Sequence, residues 1–407
     1  MTERSLLLGP TEVGSYVGVR GDKIECIELG PPPGDWDDEL DCSGGWVWTG
    51  AINAHTHIYS GLAPFDIPEP TPPPENFVQI LERLWWKLDA ALDEESLRAC
   101  ARYYVAQSLH HGTTTLIDHH ESPNFIAGSL DVLADACAEM GMRAALCYGA
   151  TERNDGAEEA RQGLAECQRF IEANDRPHVR GLVALHASFT VSDPTVAAAA
   201  ELCQQLDVPM HVHMAEDLAD VEDAVKRGYK GPLERLYDLH ALPRGSILAH
   251  GVHLSDAQVR AARDYGCWFV QNPRSNHGNK VGYAGHLSAS HRVALGTDGY
   301  PSNLKDEREA LFRLGVEYGD REDILEERCK AGQRLVGEIF GGQFGRAAEG
   351  AVADLVVREK SGRVRHAVVG GNIILRDGVL LGADLEEIVA EAKEQAPRLW
   401  KRMAEIS

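Results

Sequence analysis

Cysteine pairs with metal-clip or redox spacing are missing from this 407-residue chain: its nine cysteines, scattered from Cys26 to Cys329, contain no Cys-x-x-Cys and are odd in number. That excludes a cysteine zinc ribbon, a thioredoxin-like redox centre and a closed disulfide framework, and it fits reduced thiols in a cytoplasm. The Pro-Cys-x-x-Cys element of the zinc deaminases that act on flipped bases is missing too. No uninterrupted apolar stretch approaches the about 18 residues of a membrane helix, and Leu6-Leu7-Leu8 near the start is too short for a signal-peptide core. The expectation is a soluble, cytoplasmic protein. Positive charge is scarce: 40 Lys and Arg against 63 Asp and Glu leave a formal net charge of −23. Such a field repels phosphate backbones and anionic membrane surfaces, so the expected partner is a small molecule, with neither nucleic acid nor membrane involved.

Between about residues 50 and 300, short β-branched runs alternate with longer helical patterns, the signature of repeated βα units and a parallel sheet. The strand candidates are 50–55, 113–118, 143–148, 179–186, 208–214, 246–250, 267–271 and 292–298. Eight strands predict an α/β fold built on a (β/α)8 TIM-like barrel over residues 50–343. Phe77, Ile80, Leu81, Leu84, Trp85 and Leu88 recur with helical spacing, which predicts an apolar stripe facing the barrel wall and a packing role for Trp85 and Trp86, with substrate stacking as the alternative. Residues 63–74, with six prolines, are too stiff for a helix and read as a lid, a mouth wall or a surface linker. The flanks, 1–49 and 344–407, look like antiparallel strands joined by Gly-containing turns, with a helix over about 384–405. Neither flank is large enough alone, so the two ends are expected to meet as one small β-sandwich domain.

In such barrels chemistry sits at the C-terminal ends of the strands, where this chain's conspicuous polar residues fall. His55 and His57 end the first run on one face, since side chains alternate along a strand. His119 and His120 follow the second run, His186 ends the fourth, His213 the fifth, His250 the sixth and Asp298 the eighth. Nitrogen and oxygen donors from separate strands fit one divalent metal ion, Zn2+ first and Fe2+ as the alternative, with a coordination position left for water. The expected ligands are His55, His57, His213 and Asp298. His211 lies deeper on the same strand as His213 and reads as a hydrogen-bonded supporting histidine. A metal lowers the pKa of bound water from about 15.7 to about 7. Asp298 can then accept the proton released on attack, Glu216 can deliver one to a substrate nitrogen, and His250 can orient the attacking group or stabilise developing charge. These roles suit loss of a leaving group such as ammonia from an electron-poor carbon.

The His-x-His, the His-x-x-Glu of His213 to Glu216, the strand-end His250 and Leu295-Gly296-Thr297-Asp298-Gly299 resemble the amidohydrolase superfamily, in its deaminase and chlorohydrolase branch. Leu84 to Asp89, His111 to Asn124, His186 to Thr190 and Asn272 to Asn279 are similar to aminohydrolases of the SsnA type. The resemblance implies a mononuclear metal on His55, His57, His213 and Asp298, with Glu216 and His250 catalytic. It further implies that His186 faces substrate and that Asn276 lines the pocket. His277 stands where the family more often has an apolar residue, a departure that bears on substrate. The implied activity is a metal-dependent aminohydrolase displacing an exocyclic amine from a nitrogen heterocycle, with purine-related compounds among the candidates. The alternative is a hydrolase releasing another group, such as chloride or the product of C–N ring opening. A homodimer is the expectation for a soluble enzyme of this type.

Overall fold

A computed structural model describes residues 4–406. Ala51–Thr56, Thr113–Asp118, Arg143–Leu146 and Val179–Gly181 form one parallel sheet. Gly149–Ala150, Val183–Ala187, Met210–Met214, Ile247–His250, Trp268–Gln271 and Val293–Leu295 form a second. Every residue of Thr113–Asp118 and Met210–Met214 is buried, as parallel strands covered on both faces require. Two predicted strands are each broken in two. The run at 143–148 is interrupted before Gly149, where an added Cβ would lie 2.4 Å from Glu121 Oε1 and 2.5 Å from the His119 ring. That at 179–186 is interrupted at Leu182, whose N–H still bonds Leu146 O at 2.9 Å and joins the sheets along one edge. At the other edge the Thr297 and Asp298 N–H groups both donate to His55 O at 3.0 Å. The architecture is α/β, with parallel strands and intervening helices arranged in the manner of a TIM-like barrel.

The helices start where the sequence caps them. Asp93 and Ser96 form a reciprocal capping box on Glu94–His110, which fixes where that helix delivers the chain into Thr113–Asp118. The connecting Gly112 is at φ +80°, where a side chain would be strained and would have to displace the Arg358 guanidinium. The segment expected to be one regular helix is not: Phe77–Ile80 and Trp86–Ala91 are α-helical, with a wide π turn over Leu81–Trp85 between them. Leu81, Leu84 and Trp85 pack against the main apolar core, and Leu81, Trp85 and Trp86 also line a cavity at the strand ends.

From the N-terminal flank, Gly45–Thr49 pairs antiparallel with Leu355–Glu359 of the C-terminal flank. Leu6, Leu8, Val17 and Ile24 share a core with Leu355, Val357 and Val368. The last helix, Leu385–Glu405, turns Ile388, Ala392, Leu399 and Met403 inward. Its Trp400 donates to Phe65 O at 2.7 Å, and Arg83 holds the Pro72 and Pro73 carbonyls, so the proline-dense segment is pinned at both ends.

One buried ion pair ties the C-terminal flank to the parallel array. Arg143 forks onto Asp354, Nε to Oδ2 at 2.8 Å and Nη2 to Oδ1 at 3.0 Å, with both side chains 6% exposed. Asp354 Oδ1 also accepts the Gly370 N–H at 2.7 Å. Replacing Asp354 by alanine leaves a buried, uncompensated guanidinium, and is expected to lower stability by about 3–5 kcal/mol. The urea midpoint should fall accordingly, and the double variant Arg143→Met, Asp354→Leu should recover most of the loss. An unchanged midpoint in Asp354→Ala would remove this pair from the forces joining the two parts.

Candidate active site

Four of the expected residues converge at the C-terminal mouth of the strands. His57 Nε2 lies 2.9 Å from Asp298 Oδ1, His55 Nε2 3.4 Å from the same oxygen, and His213 Nε2 3.2 Å from His57 Nε2. The ligand-type atoms of His55, His57, His213 and Asp298 all lie within 4.8 Å of one another. The backbone is strained to bring them there: Asp298, His250 and Ala215, next to Glu216, have φ of +54°, +76° and +47°. Such conformations cost roughly 1–3 kcal/mol each in non-glycine residues. Here they are held by backbone bonds, Asp298 N–H to His55 O among them.

The imidazoles are oriented from behind. His57 Nδ1 donates to His119 O at 2.5 Å and His213 Nδ1 to His186 O at 2.7 Å, which leaves both Nε2 lone pairs facing the cluster. His55 Nδ1 meets His211 Nε2 at 2.9 Å, and His211 Nδ1 lies 3.6 Å from Cys147 Sγ, which donates to Asp118 O at 3.1 Å. His211 thus supports His55 from below. His55 Nε2 is sealed from solvent with no hydrogen-bond partner. Three inward nitrogen lone pairs and a carboxylate, buried together, are a donor set for a divalent cation. Their titration has the same origin. Burial pushes His55 down to about 3. Burial also opposes protonation of His57, yet the Asp298 hydrogen bond and the charges of Asp298 and Glu121 outweigh it and raise His57 to about 9.

Glu216, after the strand Met210–Met214, places Oε2 3.5 Å from His250 Nε2 and accepts from Asn279 Nδ2 through Oε1 at 3.3 Å. Burial raises its carboxyl to about 7, against the opposing pull of His250. The helix-capping role that competes for this acidic pair is taken by Asp217, whose side chain accepts the Ala219 N–H. His250 donates from Nδ1 to Asn276 Oδ1 at 2.8 Å, so its Nε2 points at the site. Asn276, expected to line the pocket, is instead 2% exposed beneath His250 and positions that ring, because the short helix Pro273–Gly278 turns it inward. Asn279, one turn on, reaches the cavity. His186 lines the cavity as expected, its Nδ1 held by Thr190 Oγ1 at 3.0 Å. Among the described residues, His119, His120 and His277 do not line it: His119 and His120 are fully buried behind it and His277 is exposed.

Several contributors escaped the sequence reading. Ser275 Oγ donates to Asp298 Oδ2 and accepts from Asn279 at 3.2 Å. Asp89 and Arg153, 2.7 Å apart and both buried, stand against Trp86, whose ring carries the guanidinium at 4.8 Å. Glu121 lines the cavity behind His57. Extending the strand-end rule beyond histidine and aspartate finds Glu121, directly after His119-His120. No such signal marks the Asp89–Arg153 pair, which joins segments 64 residues apart.

A sequence model of the family described as Amidohydrolase family matches residues 46–374. The chain is 29% identical over 415 residues to 5-methylthioadenosine/S-adenosylhomocysteine deaminase 2 of Archaeoglobus fulgidus, covering 94% of each chain. It is 26% identical over 437 residues to 8-oxoguanine deaminase of Pseudomonas aeruginosa, covering 96% of each. In structure it is similar to an adenosine deaminase from Xanthomonas campestris with bound zinc, with a TM-score of 0.82 and 22% identity over 98% of this chain and 99% of that one.

Proposed function

The chain belongs to the amidohydrolase family, and from that premise we propose that it is a metal-dependent aminohydrolase displacing an exocyclic amine from a purine-related nitrogen heterocycle. The observation that carries this reading is the convergence of Glu216, His250 and Asp298, whose functional atoms lie within 4.8 Å of one another beside the three-histidine cluster. His55, His57, His213 and Asp298 would hold the cation, and their nitrogen and oxygen donor set suits zinc. When bound, such an ion supplies an acidified water as the nucleophile at neutral pH. Asp298, fixed by Ser275, accepts the proton that the water loses. Glu216, whose carboxyl burial raises to about 7, donates its proton to the ring nitrogen beside the carbon under attack and regains one from the attacking oxygen as the C–N bond breaks, while the proton held by Asp298 leaves with the amine as ammonia. His250 Nε2, fixed by Asn276, stabilises the charge that develops on the attacking oxygen. Deaminase names among the relatives support the same bond being broken. His186, which lines the cavity with its ring 5.2 Å from that of His213, faces the substrate. The same reading takes the two parallel sheets as one closed eight-stranded barrel over 50–343, with 1–49 and 344–407 as a small β domain.

Zinc-loaded chain incubated with amino-purines, amino-pyrimidines, pterins and triazines is expected to release ammonia in step with a change in ring absorbance, and no chloride. Chloride release, or ring opening without ammonia, would replace this reading with the other hydrolytic one.

A further inference from the structure

We propose that Asn279 is the positioning residue of Glu216: its amide holds Oε1, which leaves Oε2 as the oxygen that carries the proton. This rests on the aminohydrolase reading of the site and adds to it the residue that aims its acid.

Glu216 has to meet two atoms in turn, a ring nitrogen and the attacking oxygen, yet little holds it. It follows Ala215, whose φ is +47°. Its Oε2 stands 3.5 Å from His250 Nε2, which remains without a hydrogen-bond partner. Among the described residues, one hydrogen bond reaches its carboxylate, from Asn279 Nδ2 to Oε1 at 3.3 Å.

The amide of Asn279 can face only one way. Its nitrogen carries two N–H groups, and the second goes to Ser275 Oγ at 3.2 Å. Ser275 spends its own hydrogen on Asp298 Oδ2, so its Oγ meets Asn279 as an acceptor. Glu216 Oε1 is an acceptor as well when the proton sits on Oε2. Two acceptors therefore draw the amide nitrogen toward them. The bridge runs from Glu216 through Asn279 and Ser275 to Asp298, and it ties the carboxylate that gives a proton to the one that takes it.

The ordinary work of an asparagine at a helix end is capping, and here other atoms do it. Asn279 closes the helix Pro273–Gly278 with its backbone N–H, which bonds Ser275 O at 2.8 Å. Its side chain is left over from that task and reaches a residue 63 positions away in the chain. The backbone beneath it is set: the Val281 N–H bonds Asn276 O at 3.1 Å, and a Cβ on Gly278 would lie 2.2 Å from Tyr300 Oη. The amide is thereby held in place for its two acceptors. Displacing a reacting group by about 1 Å costs on the order of 10^2-fold in rate, which sets the scale of what the tether is worth.

The zinc-loaded Asn279→Leu chain, close in shape and with no side-chain N–H to give, is crystallised and assayed. In the crystal structure Glu216 is expected to swing away from His250 Nε2 or to occupy several positions, with Ser275 still on Asp298. With the compound of the amino-heterocycle panel that releases ammonia fastest, kcat should fall about 10–100-fold, with KM and zinc content little changed. In a Glu216→Ala chain the same substitution should cost less than about twofold, because nothing remains to be aimed. Glu216 unmoved in the crystal, a loss confined to KM, or an equal loss with and without the Glu216 carboxylate each overturns the proposal. Should Asn279→Leu lose zinc or fail to fold, Asn279→Asp gives the same reading, since its carboxylate offers no N–H and repels Glu216. If no compound of the panel releases ammonia, the aminohydrolase reading fails and the crystal structure alone decides the tether. Ammonia release with Glu216 unmoved does the reverse.

Discussion

Glu216→Ala is expected to lower kcat by about 10^2–10^4-fold, the usual contribution of a positioned acid–base group, with metal content unchanged. The residue touches the cluster only through its neighbourhood with His250 and Asp298 and is not needed to hold the ion. Its carboxyl stands at the mouth of the strands, brought to about 7 chiefly by burial, so that both protonation states are accessible near neutrality. Alanine removes the proton carrier, and glutamine keeps its shape without the titration, so Glu216→Gln should fall nearly as far. Steady-state rates with zinc quantified on the same samples separate this from metal loss. Full activity in either variant would take Glu216 out of the mechanism, and the hydrolysis would have to draw its proton from Asp298 alone.

What the sequence made legible follows from one physical regularity. Polar side chains at the ends of apolar strands have no structural reason to be there, so His55, His57, His213, His250 and Asp298 stood out, and the structure brings them together. The regularity fails where burial has more than one cause. Trp85 carries the same apolar spacing whether it meets only the core or a cavity as well, and the π turn over Leu81–Trp85 beside that cavity leaves no mark on hydrophobic periodicity. Asn276 and Asn279 sit three residues apart in one loop. Which of them supports His250 and which reaches the cavity depends on the turn of the helix Pro273–Gly278. The Arg143–Asp354 and Arg153–Asp89 pairs bridge distant segments, and charge pattern along the chain does not encode such pairing.

His213→Ala is expected to weaken metal binding by more than about 100-fold, beyond the 10–100-fold typical for loss of a supporting partner, and to abolish turnover with it. His213 supplies one of the three nitrogens proposed as ligands, and the bond from its Nδ1 to His186 O turns Nε2 toward the cluster. Alanine leaves His55, His57 and Asp298, which still attract a cation but close no tetrahedral set. Metal binding is also linked to stability. An ion at about 100 times its Kd adds about 2.7 kcal/mol to the native state, so a chelator should lower the unfolding midpoint of the wild-type chain. In His213→Ala the chelator should change nothing, because the variant has already lost the ion. The apo wild type and the variant should then unfold alike, apart from the small packing loss of one imidazole. Elemental analysis after dialysis gives the direct reading: about one ion per wild-type chain, as expected of a single tetrahedral set, and little in the variant. A variant that keeps a full equivalent, and still responds to chelator, would move the ion away from the His55, His57, His213 and Asp298 cluster and undo the chemistry assigned to it.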